Sequence, residues 1–233
     1  MTINSELINH YKDKHNLEPV LFSSIDDNGI KSDIKGIVTP IKIDLRQFCS
    51  PTDNQGDTPH CAAYSAAQIL ESIYWKETGK LLQLDASHIY AKSKEIDGIK
   101  DSNGTYPEIT LKVALELSKN IIPHKYNIKI IRNDHSNNFI LRLKRIIHKN
   151  GILAGGFKIT DDWYSLHKYN SFLKTESNNS LGGHCVLIVG YLNDSIIIQN
   201  SWGKEWGANG FARIDWDIVL KEFIYGVYLE RND

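Results

Sequence analysis

Four residues in this 233-residue chain carry the side chains that nucleophilic catalysis requires: Gln55, Cys61, His184 and Asn200. A thiol attacks only as its thiolate. It needs a base that takes and returns a proton, and donors that hold the oxyanion formed on attack. Cys61 opens a helix-like pattern, where unpaired backbone N–H groups and the helix dipole favour negative charge. His184 follows Leu181-Gly182-Gly183 and opens an apolar run, and Gly183 permits close approach of a substrate or of another stretch of backbone. Asn200 ends a second run, in Gln199-Asn200-Ser201-Trp202-Gly203. Its amide oxygen can accept the imidazole N–H, fix the tautomer and aim the other ring nitrogen at a thiolate, while Trp202 shields that bond from water. Gln55 lies a short loop before Cys61, and its NH₂ can join the Cys61 N–H in donating to an oxyanion.

Singly, each residue has a plainer reading. A cysteine is most often a small buried apolar residue, a histidine an ordinary structural group, a loop Gln solvated, and an Asn before a Gly-rich turn mere turn chemistry. Cys185 alternates with His184 and therefore points to the opposite strand face, into the core. The order and spacing of all four carry the signal.

The elements that must position them are legible as patterns. Ala63, Ala66, Ala67, Leu70, Ile73 and Tyr74 form one apolar stripe at helical period, with Pro59 ahead of it and Gly79 as a stop. Weaker helical patterns cover 85–95, 107–119 (started by Pro107) and 138–149 (followed by Gly151). Runs rich in Ile, Val and Tyr at 152–159, 184–192, 195–199, 210–214 and 224–229 predict strands, with Asn193-Asp194 as a two-residue hairpin turn. Residues 160–183 read as a long loop of the kind that often carries function. Helices first and strands second argue for an α+β fold. Residues 1–40, polar and turn-rich, read as an N-terminal arm on a main body of 41–233, mainly helical over 41–150 and mainly β over 151–233.

Lys and Arg total 27 against 28 Asp and Glu, a net charge of −1. That balance gives no electrostatic footprint for nucleic acid. Apolar runs such as Val186–Val189 and Ile196–Ile198 are far shorter than the ~18 residues of a membrane span, so no membrane partner is expected. Nothing in the sequence calls for a metal or a cofactor. The first residues show no basic start with an apolar stretch after it, and the 3 cysteines are an odd count. Both point to a cytoplasmic protein, or to one secreted without a Sec signal.

With these residues assembled, the chain resembles the papain-like cysteine peptidases. Asn200-Ser201-Trp202-Gly203-Lys204-Glu205-Trp206-Gly207-Ala208-Asn209-Gly210-Phe211 is similar to the family's Asn-Ser-Trp-Gly segment. Gly183-His184-Cys185-Val186 resembles its histidine strand, Asp44-Leu45-Arg46 resembles the start of its mature enzymes, and the Gln55 to Cys61 interval matches. The resemblance implies a helical left lobe and an antiparallel sheet or barrel as right lobe, with the cleft between. It makes Cys61 the nucleophile, His184 the acid/base, Asn200 its orienter, Gln55 the oxyanion donor and Trp202 the cover. It also places substrate backbone against Asp101-Ser102-Asn103-Gly104-Thr105, chiefly Asn103 and Gly104. The partner so implied is a protein or peptide substrate, with a protein inhibitor or regulator as a further expectation; oligomeric state is not readable. A catalytically silent binding module, or a transpeptidase or ligase using the same acyl-enzyme, remain the alternatives.

Departures cluster at the nucleophile. Thr58 stands where the family has a disulfide cysteine, Pro59 removes a backbone donor, Ala62 replaces a large aromatic and is expected to leave space, and His60 is expected to face solvent.

Overall fold

A computed structural model describes residues 38–122, 125–175 and 179–232. Most of the predicted arm, residues 1–37, lies outside the described residues. The chain runs β1 (Ile43–Asp44), a 3₁₀ turn at Arg46–Phe48, α1 (Cys61–Thr78), α2 (Ala86–Lys94), α3 (Pro107–Ser118), β2 (Tyr126–Arg132), α4 (Asn137–Asn150), β3 (Leu153–Thr160), a 3₁₀ segment at Asp161–Ser165, β4 (Phe172–Leu173), β5 (Ser180–Tyr191), β6 (Ser195–Gln199), β7 (Phe211–Asp215), α5 (Trp216–Glu222) and β8 (Phe223–Arg231).

Local chemistry explains the helix ends. Gly79 adopts the left-handed conformation (φ 67°) and its N–H caps the Trp75 carbonyl, so α1 stops where the glycine was expected to stop it. Asp85 caps α2 by accepting the His88 N–H. Pro107 occupies the first turn of α3, where its missing N–H removes no helical bond. Gly151 (φ 89°) ends α4 by donating to the Ile147 carbonyl.

The strands form a single sheet in the order β2-β8-β3-β5-β6-β7-β4, with β1 paired to β5. All pairs are antiparallel except β4 with β7. Among the described residues nothing pairs β2 with β4, so the sheet is open: of the two forms expected for the β half, sheet or barrel, this is the sheet. The Asn193-Asp194 turn connects β5 and β6 as predicted, closed by the Leu192 N–H on the Ser195 carbonyl at 2.7 Å.

Alternation along the strands gives two cores. Cys185, Leu187, Val189, Ile197, Tyr225 and Val227 join the buried face of α1, α2 and α3. Val186, Ile188, Ile196 and Ile198 face the other way, against α4, α5 and the aromatic rings of Trp163, Tyr164 and Trp206. His184 sits on that second face and Cys185 on the first, as strand alternation required.

Five elements differ from expectation. β2 and α5 fall in stretches where no element was predicted. The predicted loop 160–183 contains the 3₁₀ segment and β4, and β5 begins at Ser180, four residues before His184. Pairing of Ser180–Gly183 with β3 holds that glycine-rich stretch extended.

Gly207 tests how closely the loop after β6 is built. It has φ +56°, and a Cβ there would lie 2.3 Å from the Phe211 carbonyl oxygen. Gly207→Ala is therefore expected to destabilise the protein by about 2–3 kcal/mol, read as a lower denaturant midpoint at unchanged slope.

Candidate active site

The four sequence-predicted groups converge where the start of α1 meets β5 and the loop after β6. Asn200 and His184 are both fully buried. The His184 Nε2 lies 2.7 Å from Asn200 Oδ1, and the Ser201 backbone N–H donates to that same oxygen at 2.8 Å. A backbone N–H can only donate, so this atom of the amide is its oxygen, and Nε2 must carry the proton that the oxygen accepts. The tautomer follows: Nδ1 is the basic nitrogen of the neutral ring. The Asn200 N–H is itself anchored on the Gly210 carbonyl at 2.9 Å.

Trp202 covers this pair. Its ring stacks on His184 with centroids 4.6 Å apart and on Tyr164 at 4.9 Å, nearly parallel, while Trp206 meets it edge-on at 5.9 Å. Trp206 is held in turn by its indole N–H on the Trp163 carbonyl. Tyr164, in the predicted loop 160–183, went unrecognised because a lone aromatic in a non-periodic stretch carries no sequence signal.

Gln55 is buried and bridges both halves of the site. Its backbone N–H donates to the Ser201 carbonyl at 2.8 Å, and its Oε1 accepts from the Ser201 hydroxyl at 2.6 Å. One Nε2 hydrogen goes to the Thr58 carbonyl at 2.7 Å, leaving the second for another acceptor. One strand of loop further, the Gly203 N–H donates to the Asp53 carbonyl at 2.9 Å. The segments 53–55 and 201–203 are thus zipped together. Ser201 was not singled out from sequence, although its place beside Asn200 was the available clue.

The departures around Cys61 are each absorbed locally. The Thr58 hydroxyl donates to the Gln55 carbonyl at 2.6 Å and closes the turn. His60 does not face solvent as expected: it is half-buried, its ring 4.0 Å from that of Tyr90 and its Nδ1 3.4 Å from the Ser87 hydroxyl. The Ala62 side chain is buried in the core beneath α1, and its carbonyl accepts from Thr110 Oγ1.

The Tyr90 hydroxyl continues the chain of contacts by donating to the Asn103 carbonyl at 2.7 Å. Lys94 donates to the carbonyls of Ser102 and Gly104, and the Gly104 N–H is taken by Ser102 Oγ. Gly104 therefore has both backbone groups engaged, one by Ser102 in its own loop and one by Lys94 at the end of α2. Gly183 lies buried within β5, opposite Lys158.

The backbone N–H groups of Cys185 (the residue after His184), Ala62 and Cys61 itself act on the Cys61 sulfur to lower its pKa. Those donors favour a thiolate, as the helix start predicted. Burial acts more strongly in the opposite direction and pushes the Cys61 thiol up. The helix-start donors thus act in the direction expected of them, and burial is the larger of the two effects. Burial likewise pushes the Cys185 thiol up. All three cysteines are free.

Comparison with known proteins places this geometry. A sequence model of the papain family cysteine proteases matches residues 118–221, a span that includes His184, Asn200 and Trp202 but not Gln55 or Cys61. The chain is 28% identical over 204 residues to procathepsin L of Rattus norvegicus, covering 77% of this chain and 58% of that protein. It is 25% identical over 206 residues to cysteine proteinase 3 of Entamoeba histolytica, covering 79% of this chain and 65% of that protein. The chain thus spans about three fifths of the length of these curated relatives. Xylellain, a cysteine protease from Xylella fastidiosa, superposes with a TM-score of 0.65 at 17% identity over 94% of this chain and 98% of that one. The resemblance to papain-like cysteine peptidases therefore holds in sequence, and the fold is papain-like.

Because burial raises the thiol, removing the cation should expose that effect. In His184→Ala, alkylation of Cys61 by iodoacetamide is expected to be slow at neutral pH and to rise only above the range of a free cysteine, about pH 8.5. The wild-type rate should already be high at pH 7. A His184→Ala profile with its midpoint below that of a free thiol would contradict the balance described.

Proposed function

We propose that residues 41–233 form a cysteine peptidase that cleaves peptide bonds through a Cys61 thioester. The observation that carries this reading is the doubly accepting Asn200 oxygen. It assigns the Nε2–H tautomer to His184 and so leaves Nδ1 as the nitrogen that can take the thiol proton. Similarity to cysteine proteinases and cathepsins supports the same chemistry.

In the proposed reaction the Cys61 proton passes to His184 Nδ1, and the sulfur attacks the substrate carbonyl. Negative charge gathers on the carbonyl oxygen, where the Cys61 N–H and the second Gln55 Nε2 hydrogen donate to it. Protonated His184 then gives its proton to the leaving amine, which departs as the C–N bond breaks. The neutral ring next activates water, which attacks the thioester and returns the thiol. Asn200 and Trp202 act through His184 by holding its ring. Protein or peptide chains are the substrate class. The free thiols at Cys49, Cys61 and Cys185 support a reducing location, and no helix among the described residues is long and apolar enough to cross a membrane.

Cys61→Ala should abolish both hydrolysis of a peptide library and stoichiometric labelling by a thiol-directed epoxide. Gln55→Ala should retain labelling but lower turnover roughly 10²–10³-fold. Absence of labelling in folded wild-type protein would favour a silent binding module instead. A loss below threefold in Gln55→Ala would remove that residue from the oxyanion site.

A further inference from the structure

The loop after α2 is folded around one ammonium group. Lys94 ends α2, and its Nζ donates to the carbonyls of Ile99 at 3.3 Å, Ser102 at 3.0 Å and Gly104 at 3.1 Å. The same Nζ lies 2.9 Å from the Asp97 carboxylate. Four oxygen-bearing groups thus share an ammonium that has three N–H donors. Carbonyls and a carboxylate gathered around a single positive charge are the donor set by which proteins hold metal cations. The Asp97 side chain is fully buried, and a buried carboxylate needs a partner for its charge. Its other oxygen accepts the Ile99 N–H at 2.9 Å, so carboxylate, ammonium and loop backbone form one closed network. The Lys94 side chain is 22% exposed, which leaves the cage within reach of solvent.

This network reaches the thiol by a short path. Between the Ser102 and Gly104 carbonyls held by Lys94, the Asn103 carbonyl accepts from the Tyr90 hydroxyl at 2.7 Å. Three consecutive carbonyls are therefore held by side chains of one helix, α2. The Tyr90 ring packs against that of His60, the residue before Cys61, with centroids 4.0 Å apart. The 101–105 loop thus takes its shape from α2 and stands on the helical side of the nucleophile, where a chain lying across the thiol meets it.

We propose that Lys94 is a positioning residue of the peptidase reaction: its ammonium takes the place of a bound cation in the 97–104 loop and holds that loop in the shape that receives substrate backbone. The proposal rests on the peptidase reading. Lys94 itself touches neither the substrate nor the reacting atoms. Without the ammonium, the loop carbonyls lose a shared donor and Asp97 loses its counter-charge, so the loop opens. Cys61 and His184, carried by α1 and β5, stay in place. The loss falls on substrate binding, which raises KM and leaves kcat.

Peptide hydrolysis by Lys94→Ala is expected to show KM raised roughly tenfold, the worth of one charge-assisted hydrogen bond, at unchanged kcat. Methylammonium chloride returns an ammonium to the cage and should bring KM back towards the wild-type value. Tetramethylammonium chloride at the same ionic strength has no N–H to donate and should not. Iodoacetamide should label Cys61 at the wild-type rate. Should Lys94→Ala fail to fold, Lys94→Met combined with Asp97→Asn removes both charges together and leaves none buried; that variant should fold and show the same rise in KM. An unchanged KM in either folded variant, a loss confined to kcat, or a KM of Lys94→Ala indifferent to methylammonium would overturn this proposal alone. Wild-type protein that neither cleaves peptides nor takes the epoxide label would overturn the peptidase reading, and this proposal with it.

Discussion

One oxygen atom orders the site. Asn200 Oδ1 accepts from the His184 ring and from the Ser201 backbone N–H, and in a fully buried position neither bond has water to replace it. Losing either would leave a buried donor unpaired at a cost of about 1–3 kcal/mol, more once the ring is charged. The rest of the loop after β6 supports that atom. The Gly210 carbonyl holds the Asn200 amide, and the stacked Tyr164 and Trp202 rings cover His184. A ring so held can accept a proton on one nitrogen without turning, because the other nitrogen stays bound in both charge states.

The sulfur is governed by a different balance. Its surroundings are dry enough that burial outweighs three backbone donors, so an isolated thiolate is disfavoured. The proton transfer proposed from sulfur to imidazole, however, would create two opposite charges together, whose attraction is large where the dielectric is low. The low-dielectric setting that penalises one ion therefore favours the pair relative to either ion alone. In the proposed reaction Cys61 and His184 would therefore titrate as one unit.

Features set by near neighbours in the chain were legible. The stripe from Ala63 to Tyr74, the glycine stops at Gly79 and Gly151, and the Asn193-Asp194 turn each depend on residues a few positions apart. β2 was not, because its seven residues acquire strand structure by pairing with β8, about a hundred residues further on. α5 is too short to show a helical period, and only the Asp215 cap, which accepts the Asp217 N–H, marked its start. The glycine pair before His184 read as loop because glycine lacks strand propensity; pairing with β3 overrides it. At the site, residue types and order pointed to the Asn200–His184 contact and the Trp202 cover. The half-buried positions of Cys61 and His60 were not legible, since burial is a property of what packs around a residue.

The loop before α1 shows how the site holds its geometry without a crosslink. A disulfide would pin residue 58 covalently; here Thr58 makes only a turn hydrogen bond, and Pro59 cannot donate at all. Position is recovered by anchoring the loop at both ends. On the β side, Gln55 and Asp53 are zipped to Ser201 and Gly203. On the helical side, the His60 ring packs at a tilt on Tyr90, whose hydroxyl holds Asn103. Cys61 sits between these anchors, so its place relative to His184 depends on both halves of the molecule remaining docked. A substrate lying against the 101–105 loop would press on the same chain of contacts that ends beside the sulfur. Of the residues that depart from the family pattern, His60 and Ala62 thus join Cys61 to the helical side, and Thr58 joins the loop to Gln55.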